Sequence, residues 1–445
     1  MRIPSPIAVL CLALLAAPAY AQGTPFPRVL PLRERAALRD RILATRLEEV
    51  VPAVMRRAGV HMWILVAREY DEDPVVETML PARWMSARRR TVLVFFDPGQ
   101  PAAVERFAVS RYGVGDFFTS AWDPERQPDQ WARLAELVAE RDPDRIAINR
   151  SSTFALADGI SASQEQELRQ ALGPKLASRL VGGEDLAVGW LETRTPLELE
   201  LYPSICALAH AIIAEGLSTR AIQPGHTTTE DLQWWYRERI AGLDLDAWFH
   251  PSVSVQRRAG GDERQGFSDP PGVETIRRGD LVWVDLGITY LGLNTDTQQL
   301  AYVLRAGEEQ APAGLRDGMA AANRLQDLLT DAFATGRTGN EVLALARGQA
   351  LDEGLVPSIY SHPLGLHGHG AGATIGLWDR QEGVPGRGDY PLWPHTAWSI
   401  ELNVTEPVAE WGGQGVRFML EEDAYFDGDS VRYLDGRQEA LRLIR

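Results

Sequence analysis

The sequence predicts a fold of two lobes: an α/β lobe, followed by an α+β lobe with a curved, mainly antiparallel sheet. Three observations lead to this prediction. Helix-like and strand-like runs alternate through the first 185 residues, a helix-start signal follows near residue 195, and short β-like runs with isolated acids occupy the last third of the chain. A chain of 445 residues is long enough for two domains.

The first 21 residues are predicted to be a secretory signal peptide. They begin with the charged Arg2, continue with a short apolar run and finish with an Ala-x-Ala ending at Ala21. We therefore expect an exported protein, periplasmic or secreted, with no later segment that could cross a membrane. Removal of Cys11 leaves Cys206 as the only cysteine, so stability must come from core burial and not from an intrachain disulfide.

Residues 25–185 are predicted to form the α/β lobe. Its predicted helices cover residues 35–59 and 131–143, and its predicted strands cover residues 61–69, 90–97 and 145–149. The helices carry apolar residues at helical spacing, and the strands are nearly continuous apolar runs. Such runs are typical of a sheet that is covered on both faces.

Residues 190–445 are predicted to form the second lobe, which opens with a helix. Thr195 and Glu198 have the spacing of a capping box. Pro203 should bend or break this helix before it reaches Ile222. The other predicted helices cover residues 231–240, after a capping box at residues 227–230, and residues 311–355.

The first pair of candidate metal ligands lies in GDLVWVDLGITYLGLNTDTQQLAYVL, residues 279–304. Asp285 ends one apolar strand-type run and Asp296 opens another, with Gly287 and Gly292 between them. This pattern predicts two strands joined by a tight connection, with an acid on each strand facing the same side.

Later segments of the sequence contain further candidate site residues. In SHPLGLHGHGAG, His362 and His369 are seven positions apart. Glu401 lies between apolar residues in a strand-type run, so alternation places it on one face of the strand, where an unpaired acid is costly. In the last block, Glu421 and Glu422 are adjacent, so only one of them can face a given side.

These residue types predict a site for divalent cations. The candidate ligands are Asp285, Asp296, His362, Glu401 and Glu421. Converging carboxylates repel one another and take up protons, whereas two divalent cations would hold them ionised. Oxygen ligands with one imidazole suit Mn2+, which we expect first, or Co2+, Zn2+ or Fe2+.

The order Asp, Asp, His, Glu, Glu, with the two aspartates eleven positions apart, resembles the pita-bread metallopeptidases, the family of creatinase, aminopeptidase P and prolidase. The resemblance implies a pita-bread catalytic domain over residues 190–445 and a creatinase-like α/β domain over residues 25–185. It also implies the roles of the ligands. One ion would be held by Asp285, the other by His362 and Glu401, and both would be bridged by Asp296 and Glu421.

The same resemblance implies the activity. The ions would activate a water that attacks the first peptide bond, His369 would stabilise the developing oxyanion, and Glu421 would carry the proton. The substrate would be a peptide with proline in second position, cleaved as by aminopeptidase P. The alternatives are a prolidase, which cleaves Xaa-Pro dipeptides, and a catalytically silent peptide-binding homologue. A homodimer is compatible with the resemblance.

The charge balance argues against a nucleic-acid partner. The chain has 45 basic and 61 acidic residues, whereas a nucleic-acid partner requires a basic face.

The chain departs from the family pattern at several positions. The family's histidine before the first aspartate is missing, because that place reads Gly-Phe-Ser-Asp over residues 266–269. His250, further upstream, could approach the site from another strand. The family's Thr-Arg pair after the second aspartate is replaced by Gln298 and Gln299.

At two of the candidate ligand positions, a nearby glutamate is an alternative ligand. The family's Glu-Pro dipeptide is preserved at Glu406 rather than at Glu401, but Glu406 lies too near Arg417 for the family's spacing, so Glu401 is preferred. Two residues are inserted in the last block, where alternation counted from Arg417 favours Glu421 over Glu422.

Overall fold

The structure is a computed structural model that describes residues 26–258 and 272–445. The signal peptide and residues 266–269 lie outside the described residues. The helices are α1 (Leu32–Ala58), α2 (Pro74–Thr78), α3 (Gln130–Arg141), α4 (Ala162–Ala177), α5 (Glu184–Glu192), α6 (Pro196–Gly216), α7 (Thr229–Gly242), α8 (Ala313–Asp331) and α9 (Gly339–Asp352). The strands are β1 (Met62–Arg68), β2 (Arg90–Phe96), β3 (Glu105–Ser110), β4 (Thr119–Ser120), β5 (Ile146–Ile148), β6 (Leu180–Gly182), β7 (Asp246–Ala247), β8 (Ser252–Gln256), β9 (Leu281–Leu286), β10 (Ile288–Tyr290), β11 (Leu293–Asn294), β12 (Thr297–Val303), β13 (Pro357–Ile359), β14 (His362–Leu364), β15 (Thr396–Val408), β16 (Gln414–Phe426), β17 (Val431–Tyr433) and β18 (Arg442–Ile444).

The first lobe is built on a mixed sheet of six strands in the order β4-β3-β2-β1-β5-β6. β1 pairs antiparallel with β2 and parallel with β5. Successive residues of β1 pack on opposite faces of the sheet. Trp63 and Leu65 pack with α1 and α5. Ile64 and Val66 pack with α3 and α4. The sheet is therefore covered on both faces, as the apolar runs indicate.

The second lobe is built on a nine-stranded, mainly antiparallel sheet that curves into a half-barrel. Its main path runs β13-β15-β16-β12-β9-β8, with β14, β17 and β18 paired to its members. Helices α8 and α9 share a core with alternate residues of β15, including Ile400 and Leu402. The residue between them, Glu401, consequently points to the opposite face. This architecture confirms the predicted fold class.

The start of α6 agrees with its capping signal, whereas the capping box of α7 is formed by Thr228 and Asp231, one position later than predicted. Two helix lengths were also predicted wrongly. Thr195 and Glu198 form a complete capping box at the start of α6. The helix continues through Pro203 and ends at Gly216, short of Ile222. Buried neighbours such as Tyr202 hold the helical path across the proline. The single run predicted over residues 311–355 is two helices, α8 and α9, since a capping box begins α9.

Helix α6 also corrects the expectation about membrane-crossing segments. By length and composition, it is the one helix of the described ranges that could cross a membrane. It nevertheless carries Glu198 in its first turn, and Ile205, Ile212 and Ile213 contribute to the core between the helices and the sheet. These contacts are those of a core helix.

A buried ion-pair network connects the two lobes. Arg46 of α1 donates from Nη1 to both oxygens of Glu198, at 3.0 and 2.8 Å. Arg194 donates to the same carboxylate at 2.7 Å. All three side chains are almost fully buried, so the network fixes α1 against the start of α6.

Candidate metal centre

Strand register aligns three of the predicted acids in one row across the half-barrel. Asp285 of β9 lies opposite Gln298 of β12, and Gln298 lies opposite Glu421 of β16. Glu421 in turn lies opposite Glu401 of β15. Residues paired in this way point to the same face of a sheet, so four adjacent strands each contribute one polar side chain to a common line.

Asp296 and His362 complete the cluster from the sides of this row. Asp296 immediately precedes β12, two positions before Gln298, and His362 is the first residue of β14. The Nε2 atom of His362 is 3.6 Å from Asp296 Oδ2, 3.8 Å from Glu421 Oε1 and 4.0 Å from Glu401 Oε2. One group with metal-ligand geometry contains His362, Glu401 and Glu421, and another contains Asp285, Asp296 and Glu421.

The hydrogen bonding of His362 leaves a lone pair aimed at these acids. Its Nδ1 lies 3.1 Å from the carbonyl oxygen of Pro363, a contact that requires the proton on Nδ1. Its Nε2 has no hydrogen-bond partner in the described residues, although the side chain is only 3 % exposed. Burial, followed by the influence of His369, lowers the pKa of His362 to about 3. A neutral imidazole lone pair facing carboxylate oxygens fits a cation between them.

The acids themselves are strongly perturbed. Burial, and then the charge of Glu421, raises the pKa of Asp285, Asp296 and Glu401 well above the ordinary values. Burial raises the pKa of Glu421 to about 7, against the opposing effect of its hydrogen bonds. The Oδ1 atom of Asp285 is buried without a hydrogen-bond partner in the described ranges. Protons or cations must therefore balance the charge of this cluster.

Three supporting residues were not predicted as parts of the site. Gln298 donates to both glutamates of the row, Ser399 donates to Glu421, and Asp423 accepts the backbone N–H of Asp296 at 3.0 Å. The period of two along a strand is a signal that could have identified two of them: Ser399 precedes Glu401 by two positions, and Asp423 follows Glu421 by two.

His369 lies at the solvent side of the cluster. Its ring centroid is 4.7 Å from that of His362, in an edge-on arrangement, and 5.1 Å from that of Trp248. A third group with metal-ligand geometry contains Asp296, His362 and His369. His369 is therefore close enough to contact a group bound over the acids.

A cavity of about 440 Å³ opens above the acids. Its floor includes Asp285, Asp296, Glu401 and Glu421, and its walls include Trp248, Phe249, Tyr360, His369, Leu377 and Trp378. Two glycines make room for the Trp248 indole, because a Cβ at Gly287 or at Gly368 would lie 2.0 or 2.3 Å from it. The glycine of the Asp-x-Gly motif thus shapes a cavity wall.

The structure does not bring every candidate to the cluster. His250 is exposed, its ring packs on Trp234 of α7 at 5.1 Å, and it joins none of the ligand groups in the described chain, so it does not take the place of the missing histidine. Glu422 points away from the cluster and pairs with His210 at 2.8 Å. Glu406 also belongs to none of these groups.

The fold and the site define a pita-bread metallohydrolase, and the comparisons with known proteins agree. The family model of metallopeptidase family M24 matches residues 201–423, half of the chain. The protein belongs to this family. No curated protein matches the chain in a sequence comparison.

Solved structures of similar fold align with most of the chain. A crystal structure of an X-Pro aminopeptidase from Thermotoga maritima has 15 % sequence identity and a TM-score of 0.63, and the alignment covers 88 % of this chain and 99 % of that one. An Xaa-Pro dipeptidase from Bacillus anthracis has 17 % identity and a TM-score of 0.60, over 90 % of this chain and 99 % of that one. A dipeptidase from Mycobacterium ulcerans has 21 % identity and a TM-score of 0.57, over 92 % and 98 %. At these identities the likeness demonstrates the shared fold.

Proposed function

We propose that this protein is an exported exopeptidase that uses two divalent ions to hydrolyse the N-terminal peptide bond of Xaa-Pro peptides, as aminopeptidase P does. One observation carries the proposal: the unpartnered Nε2 of a neutral His362 faces three buried carboxylates on the floor of an aromatic cavity. Membership of family M24 supports the hydrolase class.

The residues present fit two ion positions. Asp285 would hold one ion, and His362 and Glu401 would hold the other, with Asp296 and Glu421 shared between the two positions. When bound, such ions lower the pKa of a water molecule and polarise a carbonyl group. Mn2+ is the first choice for this donor set of oxygens and one imidazole.

Two side chains are placed to assist the reaction. Glu421, held by Ser399 and Gln298, would accept a proton from the attacking water and pass it to the departing amine. His369, at the solvent side of the cluster, would donate a hydrogen bond to the carbonyl oxygen as negative charge develops on it.

The cavity also supports the choice of substrate. Its walls include the aromatic rings of Trp248, Phe249, Tyr360 and Trp378. A proline ring is compact and apolar, so it would pack well on such surfaces. A cavity of about 440 Å³ with such walls favours a small peptide over a polymeric substrate.

The test combines metal analysis with a matched set of peptides. Purified protein would be assayed with Mn2+ on Xaa-Pro-Xaa tripeptides, on the corresponding Xaa-Ala-Xaa tripeptides and on Xaa-Pro dipeptides. Release of the first residue from the proline tripeptides alone supports the proposal. Cleavage of only the dipeptides would indicate a prolidase, and bound metal without any cleavage would indicate a peptide-binding homologue.

Export rests on the sequence of the first 21 residues alone. Sequencing the amino terminus of the protein recovered from its producing cells would test it. The expected first residue is Gln22. Recovery of the intact leader in a cytoplasmic fraction would contradict export without affecting the proposed chemistry.

A further inference from the structure

A second cavity, here called the Arg417 cavity, adjoins the proposed ion site. Its volume is about 450 Å³, and it shares Asp285, Glu401 and Trp378 with the aromatic cavity above the acids. The rest of the lining differs, since His369 lines the aromatic cavity and Arg417 lines the other. The acids therefore border two spaces, and a ligand bound over them can extend into both.

Strand alternation directs polar side chains of β15 and β16 into the Arg417 cavity. Asn403 and Thr405 follow Glu401 by two and four positions, and both line the cavity. Arg417 precedes Glu421 by four positions and is paired with Thr405 across the two strands. Even spacing along a strand places side chains on one face, and four residues of strand span about 13 Å. The guanidinium of Arg417 is thus carried on the same face as the acids, some way along the strand from them.

The positive charge of Arg417 is available to a ligand. In the described part of the chain, this residue forms hydrogen bonds through its backbone N–H and C=O alone, both with the side chain of Gln256. Arg417 is exposed, as is Val356, another residue of the lining. These two residues mark the mouth of the cavity, whereas Asp285 and Glu401 form its inner end.

Bound ions would balance the acids but not Arg417. Four carboxylates and two divalent ions have equal and opposite formal charges, so the occupied site would be close to neutral. Among the described residues that line the Arg417 cavity, the charged ones are Asp285, Glu401 and Arg417. A free guanidinium then gives the cavity a positive potential, which favours an anionic group and disfavours a cationic one.

The proposed chemistry directs the first residue of the peptide toward the Arg417 cavity. His369 would contact the carbonyl oxygen of the cleaved bond, and the aromatic cavity would take the proline that follows. The two residues joined by a trans peptide bond extend to opposite ends of it. The side chain before the cleaved bond consequently points away from the aromatic cavity, across the acids.

We propose that the Arg417 cavity selects the first residue of the substrate, and that Arg417 makes glutamate the preferred residue there. The guanidinium would bind the glutamate side chain through a charge-assisted hydrogen bond. Aspartate would benefit less, because its shorter side chain reaches less far toward the mouth of the cavity. Arg417 is therefore a specificity-determining residue. The inference rests on the proposed function and adds to it the charge of the residue that is released.

The experiment compares Glu-Pro-Ala, Gln-Pro-Ala and Lys-Pro-Ala as substrates of the Mn2+-loaded protein. Glutamate and glutamine match in size and differ in charge. We expect kcat/KM for the glutamate peptide to exceed that for the glutamine peptide about fivefold to tenfold, between the effect of an exposed ion pair and that of a hydrogen bond to a charged group. The lysine peptide should be the poorest. The difference should lie in KM, because the contact is the same before and during the reaction, and added NaCl should reduce it.

Three variants test the role of the guanidinium. Arg417→Met keeps an apolar side chain without the charge and should bring the ratio of glutamate to glutamine peptide close to one. Arg417→Glu should invert the order and make the lysine peptide the preferred one, an outcome that local loss of structure cannot produce. Arg432→Met is the matched control, because Arg432 is an exposed arginine of the neighbouring β17 whose guanidinium lies 4.9 Å from the ring centre of Tyr425. It should keep the ratio of the wild type.

A binding measurement separates this inference from the proposed function. Calorimetric titration with peptides whose first amide is replaced by a CH2–N bond measures the same preference without cleavage. Equal values for the glutamate and glutamine peptides in wild type, or an unchanged ratio in Arg417→Met, would overturn the inference. Preferential binding of the glutamate peptide by a protein that cleaves no Xaa-Pro peptide would refute the proposed function alone.

Discussion

Asp423 fixes the backbone of Asp296. Its Oδ1 accepts the Asp296 N–H at 3.0 Å, and its Oδ2 lies 3.3 Å from the thiol of Cys206. Asp423 and Asp296 are both 3 % exposed. A carboxyl group outside the proposed ligand set thus links β16 to the residue that precedes β12, and holds a proposed ligand in place.

Replacement of Asp423 should weaken metal binding. Asp423→Ala removes the acceptor of the Asp296 N–H, and we expect the affinity for Mn2+ to fall about tenfold to a hundredfold, as is usual when a partner of a ligand is lost. Asp423→Asn keeps an acceptor oxygen and should restore most of the affinity. Equal affinity in wild type and Asp423→Ala, measured by calorimetric titration, would show that Asp296 needs no such support.

Removal of a shared ligand should have a larger effect. In Asp296→Ala both proposed ion positions lose an oxygen ligand, so peptide cleavage should fall below detection and the metal content should drop. Elemental analysis of the dialysed protein, together with the tripeptide assay, measures both changes. A variant with the full activity of the wild type would remove Asp296 from the site.

His369 should behave differently from the ligands. In His369→Ala the metal content should stay as in wild type, while kcat falls on the order of a hundredfold, because an oxyanion donor acts mainly in the transition state. KM should change little by comparison. If this variant lost its metal while His362→Ala kept it, the roles assigned to the two histidines would be reversed.

The metal-free protein should lose stability as the pH rises above about 6.5. Burial raises the pKa of Glu421 to about 7, so near neutral pH the native state retains a proton that the unfolded chain has released, and the free energy of unfolding falls with rising pH. His362, whose pKa is lowered to about 3 from an ordinary value of 6.5, has the opposite effect, but only below pH 6.5. Asp285, Asp296 and Glu401 add to the decline. Outside the cluster, His210 and Glu192 add to it as well, because their pKa values are raised to about 10 and about 8.

Melting temperatures of metal-free protein between about pH 6.5 and about pH 8.5 would measure this decline. Mn2+ should stabilise the protein most at the alkaline end, since its ligands are then free of protons. Glu421→Gln, which cannot ionise, should make the decline shallower. A melting temperature that rises across this interval in metal-free wild type would contradict the assigned protonation of the cluster.

The ion-pair network between the lobes should control stability rather than chemistry. Glu198→Ala would leave Arg46 and Arg194 buried without their carboxylate, at a cost of about 3–5 kcal/mol in the free energy of unfolding. Urea unfolding measures this change. Glu353→Ala is a suitable control, because the pair of Glu353 with Arg324 is exposed and its loss should scarcely move the transition. A similar midpoint for both variants would mean that the buried network is dispensable.

The sequence by itself determined the fold class and the kinds of ligand. Strict alternation placed Glu401 opposite the apolar residues that pack on α8 and α9, and this local rule needs no knowledge of neighbouring strands. Capping residues likewise identified the start of α6, whereas the capping box that begins α9 was missed and the break between α8 and α9 was not predicted. These features depend on contacts within a few residues of the chain.

Only the tertiary structure decided which side chains meet. The register of four strands brings Asp285, Gln298, Glu401 and Glu421 into one row, and pairing between distant strands is invisible in a local pattern. For the same reason the sequence marked Gln298 only as a departure from the family, and left open whether His250, which the fold places against Trp234, approaches the site. Local periodicity gives the direction of a side chain, whereas its neighbours depend on long-range strand pairing.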